Sequence, residues 1–335
     1  MTTPGAGGTV RRRRAGAAAV GLVLALAVVG TALAAADPYR PQQWNLDRIG
    51  AGDAWQVARG EGQVVAIVDS GVDLEHPDLE DRFVRTADGA VLGRDVVDDD
   101  AVPQDPLGHG TMVAGIAVAT FDNGIGIAGV APAAQLLPVR VLDEEGRGTS
   151  SDVEEGIRWA VDNGATVVNL SLESATAGDG DSLLGSATVA APVDAVEYAW
   201  DRGVIVVAAA GNGGSGFTDY PGSSPVVLVG ATDRDDEPTD FSDSGRDDLL
   251  MAPGVDIVST WCRERGDDQC GEGVHAYGIA DGTSFAAPHV AGGLAVLRSA
   301  GLDHEQAVDR LRSTARDLGP EGRDDETGFG RIDLA

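Results

Sequence analysis

The chain has 335 residues, 43% of them hydrophobic and 23% charged, enough for one sizeable core and ordinary for a globular protein. Its 54 acidic residues face 24 basic ones, all arginine, for a formal charge of −30, which argues against a nucleic-acid-binding surface. The 47 glycines are scattered among apolar runs, a pattern of tight turns and close packing rather than disorder.

The first element reads as an export signal. Arg11 to Arg14 precede the apolar run AGAAAVGLVLALAVVGTALAAA, and A-x-A sites fall at Ala32 to Ala34 and at Ala34 to Ala36. Residues 1–34 are therefore expected to be a signal peptide, and 35–335 one domain outside the cytoplasm. A retained anchor is the alternative, since the run is nearly long enough to span a bilayer. Cleavage removes four arginines and no acids, leaving 20 basic against 54 acidic residues, or −34. Such an excess fits a soluble, self-repelling monomer, stabilised by cations where carboxylates cluster.

A polar lead-in, DPYRPQQWNLDRIGAGDAW, runs into a short helix, and GQVVAIVDSGVD follows with an apolar run from Val64 to Val68 that stops at Asp69. Continuous rather than alternating hydrophobicity marks a strand buried on both faces. The same grammar returns in AQLLPVRVLD, ATVVNLSL, GVIVVAAAGN and SSPVVLVGAT, with helical segments GTMVAGIAVAT, SSDVEEGIRWAVDNG and VDAVEYAWDRG between them. Ser151 with Glu154 reads as the capping box of the second helix. Alternating strands and helices predict an α/β fold with a mainly parallel buried sheet flanked by helices. Ligands of such sheets bind beyond the carboxyl ends of the strands, where Asp69, Ser171 and Asn212 fall. Cys262 and Cys270 are the only cysteines, and in an oxidising compartment they are expected to form a bridge that contributes roughly 2 to 3 kcal/mol.

The stretch ADGTSFAAPHVAGG poses a choice for Ser284 between a helix cap and a nucleophile at a helix N-terminus. Serine hydrolysis also needs an imidazole, a carboxylate to orient it and donors for the oxyanion. Of the five histidines, His109 alone sits in a glycine-framed context, GHGTMVAGI, where it opens a helix. Asp69 at a strand end, with His109 and Ser284 at two helix starts, can converge on one crevice.

The order Asp, His, Ser within AIVDSGVD, GHGTMVAGI and GTSFAAPHVAGG resembles the subtilisin-like serine proteases, the subtilase family, and its thermitase-like branch in particular. The resemblance runs from Asp37 to Arg331 and implies a three-layer fold and a secreted endopeptidase acting on protein or peptide substrates. It makes Ser284 the nucleophile, His109 the base, Asp69 the orienting carboxylate and Asn212 the oxyanion-hole amide. Substrate edges are implied at Ser171, Leu172 and Glu173 and at Gly146, Arg147 and Gly148. Relatives usually end the first edge in glycine. Glu173 there implies disfavour for acidic residues before the scissile bond, unless its carboxylate faces solvent. Phe285 replaces the usual methionine and Met112 a second histidine, neither expected to touch the assigned roles.

The acidic run DVVDDDAVPQD suits Ca²⁺ or a solvated loop on composition alone. The resemblance implies calcium at Asp95, Asp98, Asp100, Gln104 and the Val102 carbonyl. A second set is Asp37, Asp78 and Asn123 with the carbonyls of Thr120, Ile125 and Ile127. The same resemblance leads us to expect no pro-domain between signal and catalytic domain, and a final helix shorter than in relatives or missing. Two other readings keep these motifs: a catalytically silent protease-like scaffold, and a dedicated processing protease of a secretion system.

Overall fold

The five apolar runs become strands of one parallel sheet because each presents nonpolar side chains to both faces. The computed structural model describes residues 1–2, 36–172, 192–214, 220–262 and 275–335. Helices α1 (Trp44–Arg48) and α2 (Ala51–Ala54) lead in. The sheet strands are β1 (Val64–Asp69), β2 (Arg94–Asp95), β3 (Gln135–Arg140), β4 (Val167–Leu170), β5 (Ile205–Ala209), β6 (Val227–Thr232) and β7 (Leu250–Pro253), in the order β2-β3-β1-β4-β5-β6-β7. A separate antiparallel pair joins β8 (Ile257–Trp261) to β9 (Ala276–Ala280).

The period of two along each strand divides the core. Val65 and Ile67 of β1, with Ile205, Val207 and Ala209 of β5, point to one layer, which holds α3 (His109–Val118) and α6 (Thr283–Ser299), with α7 (His304–Thr314) packed on it. Ala66 and Val68, with Val206 and Ala208, point to the other, which holds α4 (Ser150–Asp162) and α5 (Val193–Trp200). This is the three-layer α/β arrangement expected.

One local expectation is corrected. The capping box of α4 is Thr149 with Asp152, reciprocally bonded, not Ser151 with Glu154. The segment TSSDVEE offers both pairs, and the register that buries Val153, Ile157 and Ala160 selects the earlier one.

The strand order reverses at β1, which pairs with β3 on one side and β4 on the other. A crevice therefore opens beyond the carboxyl ends of β1 and β4. The 3–35 segment, Glu173 and Cys270 lie outside the described residues. Among the described residues, no helix is long and apolar enough to cross a membrane.

Candidate active site

Asp69 is the last residue of β1 and fully buried; His109 is the first residue of α3 and 3% exposed. The His109 Nδ1–H donates to Asp69 Oδ1 at 2.8 Å, an oxygen that also accepts the Ser70 N–H at 2.7 Å. Helix α3 comes this near β1 because residue 110 is glycine. A Cβ there would lie 2.1 Å from the Gly71 carbonyl oxygen.

Asp105, which the sequence reading did not single out, fixes the start of α3. Its Oδ1 accepts the Leu107 and Gly108 N–H groups and the Ser70 hydroxyl, and its Oδ2 accepts both the N–H and the hydroxyl of Thr111. Burial holds this carboxyl above the usual carboxylate range, against the pull of these donors. The signal was present as an acid just before a helix start with threonine in the first turn.

Ser284, 4% exposed, is the second residue of α6. Its hydroxyl donates to the Ser171 carbonyl at 3.3 Å, and its own carbonyl accepts the Ser171 hydroxyl at 2.6 Å. Ser171 Oγ also accepts from Asn169 Nδ2 at 2.9 Å. Phe285, the residue after Ser284, puts its ring centroid 5.5 Å from that of His109. Met112 packs with Phe285 and Ile257 in one small apolar cluster behind the crevice.

Asn212 lies three residues past β5. Its Oδ1 accepts the Thr283 N–H at 2.8 Å and the Thr283 hydroxyl at 3.1 Å. With the oxygen so committed, Nδ2 is the donor end of the amide. A hydroxyl, an imidazole held by a buried carboxylate and an amide donor at a helix N-terminus are the parts that acyl transfer requires.

The two implied substrate edges flank this site. Ser171 and Leu172 follow β4, and Gly146 to Gly148 lie beyond the carboxyl end of β3, so both bracket the end of β1. The second edge is a tight loop in which Asp143 Oδ1 accepts the Arg147 N–H at 2.9 Å.

The two acidic sets differ in their fit to a hard cation. At the first, Arg140 Nη1 already lies 2.7 Å from Asp95 Oδ2 and 2.6 Å from Asp98 Oδ2, while Asp100 Oδ1 takes the Val102 N–H and Gln104 Oε1 the Leu74 N–H. At the second, Asp37 accepts the N–H groups of Asp122, Asn123 and Gly124, and Asp78 accepts from Asn123 Nδ2, the Ile127 N–H and the Tyr277 hydroxyl. Burial raises the Asp78 pKa, and the charge of Asp37 adds to it. Asp37 and Asp78 form no ion pair with arginine among the described residues, so this set, with no competing cation on its carboxylates, is the better match to calcium. No group of three or more His, Cys, Asp or Glu side chains is gathered for a metal among the described residues.

Residues 60–330 match a family model described as the subtilase family. The chain is 42% identical over 270 residues to a thermophilic serine proteinase of Bacillus sp. (strain AK1), a match covering 78% of this chain and 60% of that relative's length. It is 39% identical over 288 residues to thermitase of Thermoactinomyces vulgaris, covering 85% of this chain and 93% of thermitase. Among solved structures it is similar to a protease from Pseudoalteromonas arctica, with a TM-score of 0.74 and 28% identity over 90% of this chain and 97% of the other.

Proposed function

The chain belongs to the subtilase family, whose members are serine-type endopeptidases, and we propose that it cleaves peptide bonds with Ser284 as nucleophile, His109 as general base and Asp69 as the carboxylate that orients the imidazole. The observation that carries this reading is the buried 2.8 Å hydrogen bond from His109 Nδ1 to Asp69, at the crevice where the first turn of α6 carries Ser284. With Nδ1–H held by Asp69, Nε2 is the basic nitrogen and takes the Ser284 proton as Oγ attacks the scissile carbonyl. The tetrahedral oxygen is met by the Ser284 N–H and Asn212 Nδ2. His109 then returns the proton to the leaving amine, and water activated by the same imidazole releases the acyl group.

Substrate lies extended between Ser171–Leu172–Glu173 and Gly146–Arg147–Gly148, adding main-chain hydrogen bonds as a strand would. Calcium, when bound, supplies positive charge to the loops that hold it. Asp37, Asp78 and Asn123, with the carbonyls of Thr120, Ile125 and Ile127, form the better site. At the Asp95, Asp98, Asp100, Val102 and Gln104 loop the ion would share carboxylates with Arg140. Secretion follows from Arg11–Arg14 and the apolar run behind them, with residues 35–335 acting as a monomeric catalytic domain. A Cys262–Cys270 bridge is part of the same reading, supported by these being the only two cysteines of a chain bound for an oxidising compartment.

A fluorophosphonate probe is expected to label the secreted protein and to fail on Ser284→Ala. Equal labelling of both would remove Ser284 from the role.

A further inference from the structure

A second cavity, of about 280 Å³, lies at the other edge of the sheet. Among its walls are Trp200 at the end of α5, Ser224 just before β6 and Asp248 just before β7, all at the amino ends of strands β5 to β7 and so opposite the catalytic crevice. Arg312 of α7, Arg323 and Phe329 complete the part that matters here.

Its electrostatics run against the rest of this acidic protein. Asp248 is already neutralised, since Arg246 grips both its oxygens at 2.7 and 2.5 Å. Those bonds hold its carboxyl below the usual range although burial opposes them. Arg323 pairs at the rim with the half-exposed Asp247 at 2.8 Å. The Arg312 guanidinium sits over the Phe329 ring at 5.2 Å, with Arg323 over the same ring at 4.4 Å. Two like charges thus share one aromatic platform.

Two buried donors in this wall have no partner. Arg312 Nε and Ser224 Oγ are both buried without a hydrogen bond, and Ser224 is only 7% exposed. An unmet buried donor costs about 1 to 3 kcal/mol, and both residues line this cavity, so an occupant that draws the two donors into hydrogen bonds is favoured. Guanidinium has only donors, which demands an acceptor, and its planar fork matches a carboxylate. The rings of Trp200 and Phe329 supply apolar surface that a bare inorganic anion would leave unused. The volume falls just below the range of ordinary ligand pockets, roughly 300 to 1,000 Å³, so the occupant is small.

We propose that this cavity is a binding site for a small carboxylate carried on an apolar body, held by Arg312 and Ser224 against Trp200 and Phe329. The free acid and the C-terminal residue of a peptide present the same chemistry. The site is independent of the peptidase reading.

The test is calorimetric titration of the Ser284→Ala protein, which cannot turn over peptide, with benzoate and with N-acetylphenylalanine as the two sources. Benzamide and inorganic phosphate serve as uncharged and non-apolar controls. Saturable binding of benzoate in the millimolar range or tighter is expected, with benzamide and phosphate at least about tenfold weaker, the factor that follows from losing one charged hydrogen bond. Benzoate affinity should fall by a similar factor in Arg312→Met and by a few-fold in Ser224→Ala, which removes one hydroxyl and keeps the backbone. N-acetylphenylalanine binding that is lost in Arg312→Met assigns the site to peptide termini as well; binding only of benzoate restricts it to free acids. Equal affinity for benzoate and benzamide overturns the proposal. So does benzoate binding unchanged by Ser224→Ala together with Arg312→Met, or no saturable benzoate binding at all. Should Arg312→Met not fold, Ser224→Ala and the benzamide control decide between the same outcomes.

Discussion

Pro288 stands four residues after Ser284 inside α6, so the helical N–H that would reach the Ser284 carbonyl does not exist, and the Ser171 hydroxyl takes its place at 2.6 Å. Both residues are buried. Ser171→Ala leaves that carbonyl unpaired at the start of the helix that carries Ser284, at a cost of about 1 to 3 kcal/mol. A lower melting temperature and a reduced kcat with little change in KM are expected. If a chromogenic peptide assay gives the same kcat for Ser171→Ala and the parent, the contact does not position Ser284.

Asn212 is held by its oxygen and offers its nitrogen, which allows the two ends to be tested separately. Asn212→Asp keeps an acceptor for both Thr283 donors but replaces the donor NH₂ with a second oxygen. Its kcat is expected to fall by about 100- to 1000-fold, the effect of losing one such donor in the related subtilisin, while the melting temperature moves little. A loss below tenfold in steady-state kinetics would take Asn212 out of the oxyanion hole.

Asp105 joins the strand that ends in Asp69 to the helix that begins with His109, through Ser70 on one oxygen and Thr111 on the other. Every partner is a donor, so Asp105→Ala strands three N–H groups and two hydroxyls. Destabilisation of at least about 3 kcal/mol is expected. Denaturant unfolding checks it, and a change below about 1 kcal/mol would mean water replaces the carboxylate.

The buried strands were legible because their apolar runs are continuous, and Asp69, His109 and Ser284 because each sits in a long motif at an element boundary. What escaped was set by contacts remote in sequence. Nothing local to Ser171 reveals that its hydroxyl serves a carbonyl 113 residues away, nor does HVAGG reveal that His289 meets Asn45 across 244 residues. The five-residue strands β8 and β9 went unread because pairing, not pattern, makes them strands. At α4 two overlapping capping signals were equally good locally, and only burial of Val153 and Ile157 chose between them.

Calcium at the Asp37 and Asp78 set would bind the folded protein alone and so raise its stability, by about 2.7 kcal/mol at a hundredfold excess over Kd. Excess chelator is expected to lower the melting temperature by several degrees, roughly 2 °C or more per kcal/mol. Asp78→Asn should lose most of that response, because it removes one of the two facing carboxylates. Melting curves of the parent that superimpose with and without chelator would dismiss the site.

His289 is fully buried in α6, with its Nδ1–H donating to the Phe285 carbonyl at 2.8 Å and Nε2 accepting from Asn45 Nδ2 at 2.7 Å. Both partners suit the neutral ring. Burial lowers its pKa from 6.5 to about 4, only partly offset by backbone carbonyls. The unfolded chain therefore takes up a proton near pH 6.5 that the folded protein refuses until about pH 4, and over that interval unfolding binds a proton. Stability from this group is complete above pH 6.5 and falls as acid is added, by about 1.4 kcal/mol per pH unit and roughly 3 kcal/mol in all. His289→Gln keeps a donor and an acceptor but has no proton to gain. Between pH 6.5 and 5, above the range where most carboxylates titrate, its unfolding free energy should decline less steeply than the parent's by about one proton's worth. Parallel curves for the two proteins in urea titrations across that range would show that His289 is not the acid-sensitive group.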